Sequence, residues 1–197
     1  MIDHYQISLT GTLTEQMKDY LHVFQQEETI QHQLEVACEA QQLATRFGGD
    51  SNKAYIAGLF HDISVVIPNN ERIAFQENLG LEVLPEEQQV PLLLHQKQSA
   101  TLAKEVFNIT DAEILSAITC HTTLKENFSQ LDLIVFLADK IKWDRKDAAP
   151  FLVDLLAALD ISLEAAARCY LEWLFAGDLL VPHPWAIASK NQLTKTL

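Results

Sequence analysis

The sequence predicts one all-α domain. Three observations carry that reading. Apolar residues recur at helical spacing along most of the chain, with Ser, Thr and Asp placed where helices would begin. Gly and Pro are scarce, at six each, and alternating strand patterns are hard to find. The chain has 197 residues, enough for one domain with a sizeable core.

Thr12 and Glu15 make a capping box and start a first helix near Leu13. A second helix is predicted from Thr29 to Phe47. Its stripe is Val36, Ala37, Ala40, Leu43, Ala44 and Phe47, and Gly48-Gly49 stops it. A third runs from Asn52 to Ile63. Residues 64–90 are read as irregular, punctuated by Pro68, Asn69-Asn70, Gly80 and Pro85, with a short helix from Glu71 to Asn78. Pro91 opens the next helix, to Phe107, since proline fits a first helical turn. Thr110 and Glu113 suggest another capping box, for a helix ending near His121. A loop, Thr122 to Gln130, leads into a helix from Leu131 to Lys142. Helices from Ala149 to Leu159 and from Leu163 to Phe175 follow, the latter capped by Ser162. Leu171, Trp173, Leu174 and Phe175 can cover the core or form a dimer contact, and the core is the expected place. The tail from Gly177, with Pro182 and Pro184, is expected to pack loosely. The expected organisation is an N-terminal helical extension (1–28), the main domain (29–177) and a C-terminal tail (178–197).

The composition, 48% hydrophobic and 21% charged, is that of a soluble globular protein. A net charge of −13 argues against nucleic acid, which is held mainly by Lys and Arg clusters, and equally against an anionic membrane surface. No apolar run is long enough to span a membrane, and no basic region followed by an apolar stretch marks a secretory signal. Cys38, Cys120 and Cys169 are far apart and form no Cys-x-x-Cys pair, so neither a disulfide framework nor a thiolate zinc site is indicated. A cytoplasmic protein with reduced thiols is expected.

The chemistry concentrates in six residues. His61 and Asp62 are adjacent at the end of an apolar small-residue helix, and His32, His95, His121 and Asp139 lie in similar surroundings. Each falls in line with the apolar face of its helix: His32 with Val36 and Ala40, His61 with Ala54 and Ala57, His95 with Ser99 and Leu102, His121 with Ala117 and Ile118, Asp139 with Val135 and Phe136. Taken singly, an inward His is more often a hydrogen-bonded core residue, and an inward Asp a cap or ion-pair partner. Taken together, they are buried polar groups that need partners, and a shared metal centre satisfies all of them. Imidazole and carboxylate donors suit iron, manganese, zinc or similar ions. Six donors are too many for one catalytic metal with an open position, and suit two metals bridged by a carboxylate. His4, His22 and His183 are assigned no role.

The ordered set His32, His61-Asp62, His95, His121, Asp139 resembles the HD-domain metal-dependent phosphohydrolases. The local text is similar to one branch, the bacterial YqeK-like symmetrical diadenosine tetraphosphate hydrolases. The matching stretches are Gln31 to Ala37, Lys53 to Ile63, Ala117 to Thr123 and Val135 to Ile141, the last containing Leu137-Ala138-Asp139-Lys140-Ile141. The resemblance implies that His32, His61, Asp62 and Asp139 hold one metal and Asp62, His95 and His121 the second, with Asp62 bridging. It implies a di-iron centre, with manganese or other transition metals as alternatives, and a nucleotide or dinucleoside polyphosphate as the small-molecule partner of a monomer or homodimer. Lys140 and Arg145 match basic positions beside the phosphates, and with Asp62 form the expected catalytic set. Two divalent ions against Asp62 and Asp139 leave about two positive charges by formal counting, so an acidic chain can still hold polyphosphate.

The chain departs from the family pattern at Val65, usually a lysine, in the run after His95, and in the loop Leu124 to Ser129. The expected reaction is cleavage of diadenosine tetraphosphate to two ADP, with residues 64–90 and 122–130 shaping the nucleoside pocket. The alternatives are an HD-domain nucleotidase acting on other nucleotides and a non-hydrolytic nucleotide sensor.

Overall fold

The computed structural model describes residues 2–143, 149–177 and 179–195. Among these, eleven α-helices and four short 3-10 turns occur and no strand, so the all-α expectation holds. The helices are α1 (Leu13–Val23), α2 (Glu27–Phe47), α3 (Ser51–Phe60), α4 (Arg72–Asn78), α5 (Pro85–Gln89), α6 (His95–Glu105), α7 (Ala112–Cys120), α8 (Gln130–Ile141), α9 (Leu152–Leu159), α10 (Leu163–Ala176) and α11 (Pro184–Lys195).

Local chemistry sets most of the boundaries. Thr12 and Glu15 form the expected reciprocal capping box, and Ser162 accepts the Ala165 N–H at the start of α10. Asp50 caps α3. Gly48, in the left-handed region at φ 76°, ends α2, which glycine does without the Cβ clash that other residues meet. Four expectations are corrected. The cap of α7 is Asp111, whose Oδ1 accepts the N–H groups of Glu113 and Ile114, not Thr110. Pro91 opens a 3-10 turn, Pro91–Leu94, and the α-helix begins only at His95. The stretch 64–90 holds, besides α4, the short helix α5. The C-terminal tail is not loosely packed: α11 buries Ala186, Ser189 and Leu193. Pro184 is the first residue of that helix, where the missing N–H is not needed.

The apolar core has two lobes, with α2 between them. One gathers Tyr20, Phe60, Phe75 and Phe107; the other gathers Phe136, Phe151, Leu155 and Tyr170. Successive α2 residues serve opposite lobes, Val36 the second and Ala37 the first. The most extensive helix pairing is α2 with α3, and Gly58 permits it: a Cβ there would sit 2.8 Å from Ala37 Cα. This close approach brings His32 of α2 against His61, the residue that ends α3.

Candidate metal centre

The six residues singled out from the sequence meet at one place. His32 stands on α2, His95 is the first residue of α6, and Asp139 lies in the last turn of α8. His61 and His121 are the C-caps of α3 and α7, and Asp62 follows His61 directly. His61 and His121 are almost wholly buried.

The helix ends fix the imidazoles. Carbonyls in a last helical turn lack an intrahelical donor, and the rings supply one. Nδ1 of His61 is 2.7 Å from Gly58 O, and Nδ1 of His121 is 2.8 Å from Ile118 O. Nδ1 of His95 makes the same i−3 contact, 2.6 Å from Leu92 O in the 3-10 turn. A carbonyl only accepts, so each Nδ1 must donate. The neutral ring then presents a bare lone pair on Nε2.

Those lone pairs face other acceptors. Nε2 of His61 lies 3.2 Å from Nε2 of His32, and Nε2 of His95 lies 3.0 Å from Nε2 of His121. Asp62 stands between the pairs. Its Oδ1 is 3.4 Å from His95 and 3.2 Å from His121, and its Oδ2 is 3.6 Å from His61. Asp139 Oδ1 is 3.5 Å from both His32 and His61. His95 and His121 set lone pair against lone pair, and the fixed imidazole lone pairs also face carboxylate oxygens, which is repulsive unless a cation lies among them. Two groups of donor atoms, His32-His61-Asp62 and Asp62-His95-His121, each fall within a 4.8 Å span and share Asp62. Nitrogen and carboxylate oxygen donors in this arrangement suit two transition-metal cations.

The charges point the same way. Burial works against the Asp62 carboxylate, but His61, His121 and His95 outweigh it and hold its pKa far below the usual carboxylate range. Burial likewise opposes the charge on Asp139; Lys140, His32 and His61 overcome it, and its pKa is well below normal. His61 is disfavoured as a cation by burial, yet Asp62 and Asp139 raise its pKa to about 9. His95 is pushed down to about 4 by burial, against the pull of Asp62.

Surrounding polar groups brace the centre. Gln96 Oε1 accepts the N–H groups of Thr122 and Thr123, and its Nε2 donates to Thr123 Oγ1, pinning the turn after His121. Thr122 Oγ1 is 2.9 Å from His95 Nε2 and can donate to it. Arg72 is buried, its guanidinium donating to Ser64 O and Gln98 Oε1. Ser64 Oγ in turn donates to His95 O at 2.8 Å, which ties the turn after Asp62 to α6. None of Arg72, Gln96 and Gln98 stood out in the sequence. The one available signal was polar side chains at buried register. Val65, where the family lysine is missing, packs against the first lobe of the core.

The centre forms the floor of a cavity of about 550 Å³. Lys140 lines it; its Nζ is 2.5 Å from Asp139 Oδ2 and 3.3 Å from His121 O. Burial lowers the Lys140 pKa, but Asp139 more than compensates and the net shift is upward, so the side chain is a permanent cation. Arg145 lies outside the described residues. The rest of the lining is largely apolar and aromatic, with Trp143, Tyr170, Trp173, Phe175, Leu179 and Val181. Trp173, expected in the core, is 36% exposed and lines the cavity. Thr122 and Thr123 line the cavity as expected of the 122–130 loop. Among the described residues no member of 64–90 does; the C-terminal segment takes that place.

A family model for the HD domain matches residues 29–144. The chain belongs to the HD-domain family. Its HD domain thus spans α2 to the end of α8 and carries all six residues of the centre. The chain superposes on the crystal structure of a predicted HD superfamily hydrolase involved in NAD metabolism from Clostridium acetobutylicum. The TM-score is 0.84 and the identity 30%, over 96% of this chain and 100% of the other. In sequence, it is 53% identical over 146 residues to an uncharacterized protein in the pepC 5′ region of Lactococcus lactis subsp. cremoris, covering 74% of this chain and 75% of that protein. It is 32% identical over 133 residues to the symmetrical bis(5′-nucleosyl)-tetraphosphatase of Bacillus subtilis, covering 66% of this chain and 70% of that enzyme.

Proposed function

We propose that this HD domain hydrolyses nucleotide phosphoanhydrides with two bound metal ions, and that its substrate is diadenosine tetraphosphate, cut symmetrically to two ADP. The observation that carries the reading is the pair of facing imidazole couples with Asp62 between them, in a cavity that aromatic side chains also line. The likeness to the Bacillus subtilis tetraphosphatase supports the substrate. Iron is the first choice of metal, with manganese second.

In this reading His32, His61, Asp62 and Asp139 hold one cation and Asp62, His95 and His121 the other. Bound there, two divalent ions supply Lewis-acid activation of water and of the phosphoryl oxygens. The protein's own groups do the rest. The Nδ1 bonds to backbone carbonyls keep three imidazoles in the one tautomer that offers Nε2 as donor atom, and such outer bonds orient ligands. Asp62, ionised at any working pH, divides its two oxygens between the two groups. Lys140, fixed by Asp139, places a cation beside the floor, where it neutralises a phosphoryl oxygen as charge develops there. Arg145 follows α8 in sequence and is proposed as a second phosphate-binding cation. Trp143, Trp173 and neighbouring apolar side chains give a nucleoside somewhere to leave water.

The deciding experiment is turnover of diadenosine tetraphosphate by anaerobically purified iron- or manganese-loaded protein, with products separated by chromatography and Asp62→Ala as control. ADP alone, lost in the variant, supports the reading. AMP with ATP means an asymmetric cut and overturns it. A second reading, hydrolysis of another nucleotide, is favoured by the Clostridium acetobutylicum relative and its link to NAD metabolism. Turnover of a mononucleotide or of NAD in the same assay, with the tetraphosphate untouched, would select it.

A further inference from the structure

A second buried polar cluster borders the metal-bearing cavity, and hydrolysis at the floor makes no use of it. Glu87 of α5 is fully buried. Its Oε1 lies 2.6 Å from Lys97 Nζ of α6 and 3.5 Å from His183 Nε2, and its Oε2 accepts the Leu84 N–H at 2.8 Å. The His183 ring is held from both sides. Its Nδ1 accepts the Trp185 N–H at 3.2 Å, which places the proton of the neutral ring on Nε2, toward Glu87. His183 therefore caps the start of α11, one residue ahead of Pro184. Lys97 Nζ also stands 4.8 Å over the Trp185 ring. One carboxylate and one ammonium thus grip two side chains at the beginning of the C-terminal helix. Farther along, Gln192 Oε1 accepts the Asn127 N–H at 2.7 Å.

A buried ion pair is a poor way to gain stability, because apolar residues of similar volume would do as well. What it adds is direction. The direction here is toward the cavity, which Leu179, Val181, His183 and Ala186 line directly. The metal floor belongs to α2, α3, α6, α7 and α8, whereas these four residues belong to the connection from α10 to α11 and the first turn of α11.

We propose that Lys97, Glu87 and His183 are positioning residues that latch the segment from Leu179 to Ala186 as the wall on which the nucleoside of the substrate seats. The proposal rests on the reading that nucleotide phosphates bind at the metal floor. An inorganic pyrophosphate reaches only the floor; a nucleoside diphosphate reaches floor and wall. The latch therefore governs binding of the second and not of the first.

The test is calorimetric titration of the metal-loaded full chain with ADP and, separately, with pyrophosphate. Metal content and thermal melts are recorded for every variant. Wild type is expected to bind ADP at least about tenfold more tightly than pyrophosphate, since about 1.4 kcal/mol of apolar contact suffices for that factor. His183→Leu should raise the Kd for ADP about tenfold and leave that for pyrophosphate within about twofold, the same 1.4 kcal/mol being lost. His183→Gln, which retains a donor for Glu87 and an acceptor for the Trp185 N–H, should restore most of the loss. The double variant Glu87→Gln/Lys97→Met removes both buried charges together and should act like His183→Leu, which keeps the proposal open to test if one variant folds poorly. Equal weakening of both ligands, or of neither, overturns it. So does a wild type that prefers ADP by less than about twofold, whatever its turnover. A wild type that binds ADP through the latched wall but hydrolyses no nucleotide overturns the functional reading and leaves the latch standing.

Discussion

Two of the clusters of charged and polar side chains among the described residues, one around Glu87 and one around Asp62, are built on opposite principles. In the cluster of Glu87, Lys97 and His183 the principal contacts pair a donor with an acceptor: ammonium with carboxylate, ring N–H with carboxylate, amide N–H with ring nitrogen. In the cluster around Asp62, acceptors face acceptors: the Nε2 atoms of His95 and His121 are 3.0 Å apart, and carboxylate oxygens lie among the ring nitrogens. Burying unsatisfied polar atoms carries a free-energy cost. The first cluster is complete without any ligand and can serve only to hold. The second is complete only with cations and is built to bind. The predictions below break or sharpen that contrast, from the largest effect to the smallest.

Asp62→Ala should abolish shared coordination and lower turnover by at least about a thousandfold, about 4 kcal/mol of barrier, while circular dichroism shows the helices intact. Full activity in that variant would break the contrast at its centre. Chelation should act on the open cluster alone. At metal concentrations a hundredfold above Kd, each filled site stabilises by about 2.7 kcal/mol, so removing both ions should lower Tm by roughly 10 to 20 °C for a chain of this size. An unchanged melting curve would place the metal outside the folded centre. Gly58→Ala should cost about 1 to 3 kcal/mol in urea unfolding, as overpacking does, because its Cβ meets Ala37 backbone at 2.8 Å. The same variant should weaken metal binding, since it forces apart the helices that carry His32 and His61. A wild-type melt with wild-type metal affinity would show that this contact does not set the site's geometry.

The smallest effect belongs to the closed cluster. Burial works against the Glu87 charge, but His183, Lys97 and the Leu84 N–H outweigh it and lower its pKa. A carboxylate depressed in the folded state adds stability that is present above its unfolded pKa, near about 4.3, and lost as pH falls through the folded value. Urea melts of chelated protein below about pH 5 should therefore fall off more steeply for wild type than for Glu87→Gln/Lys97→Met. Parallel curves would mean that the pair contributes nothing in solution.

The open cluster was legible in the sequence and the closed one was not. His32, His61, His95, His121 and Asp139 each lie in register with an apolar helix face, which is a local pattern. His183 has no such pattern. It is the single residue between Pro182 and Pro184, and only the fold brings Glu87, far away in the chain, against it. The helix α11 was hidden by the same prolines, read as breakers although Pro184 takes the first helical turn. At the start of α7 the spacing of Thr110 and Glu113 pointed one residue too early; the extended backbone of Asp111, φ −68° and ψ 119°, makes it the cap. Trp173 was readable but misread. It is two residues from the fully buried Leu171, and positions two apart lie on nearly opposite sides of a helix, so both could not face the same core.

The most direct test is the number of metal ions the folded chain binds. Anaerobic protein, stripped and reloaded with iron or manganese, would be analysed for metal per chain alongside Asp62→Ala. Two ions per chain in wild type, and fewer than one tightly held in the variant, is the predicted result. One ion or none in wild type, or two in the variant, would contradict a shared centre built on Asp62.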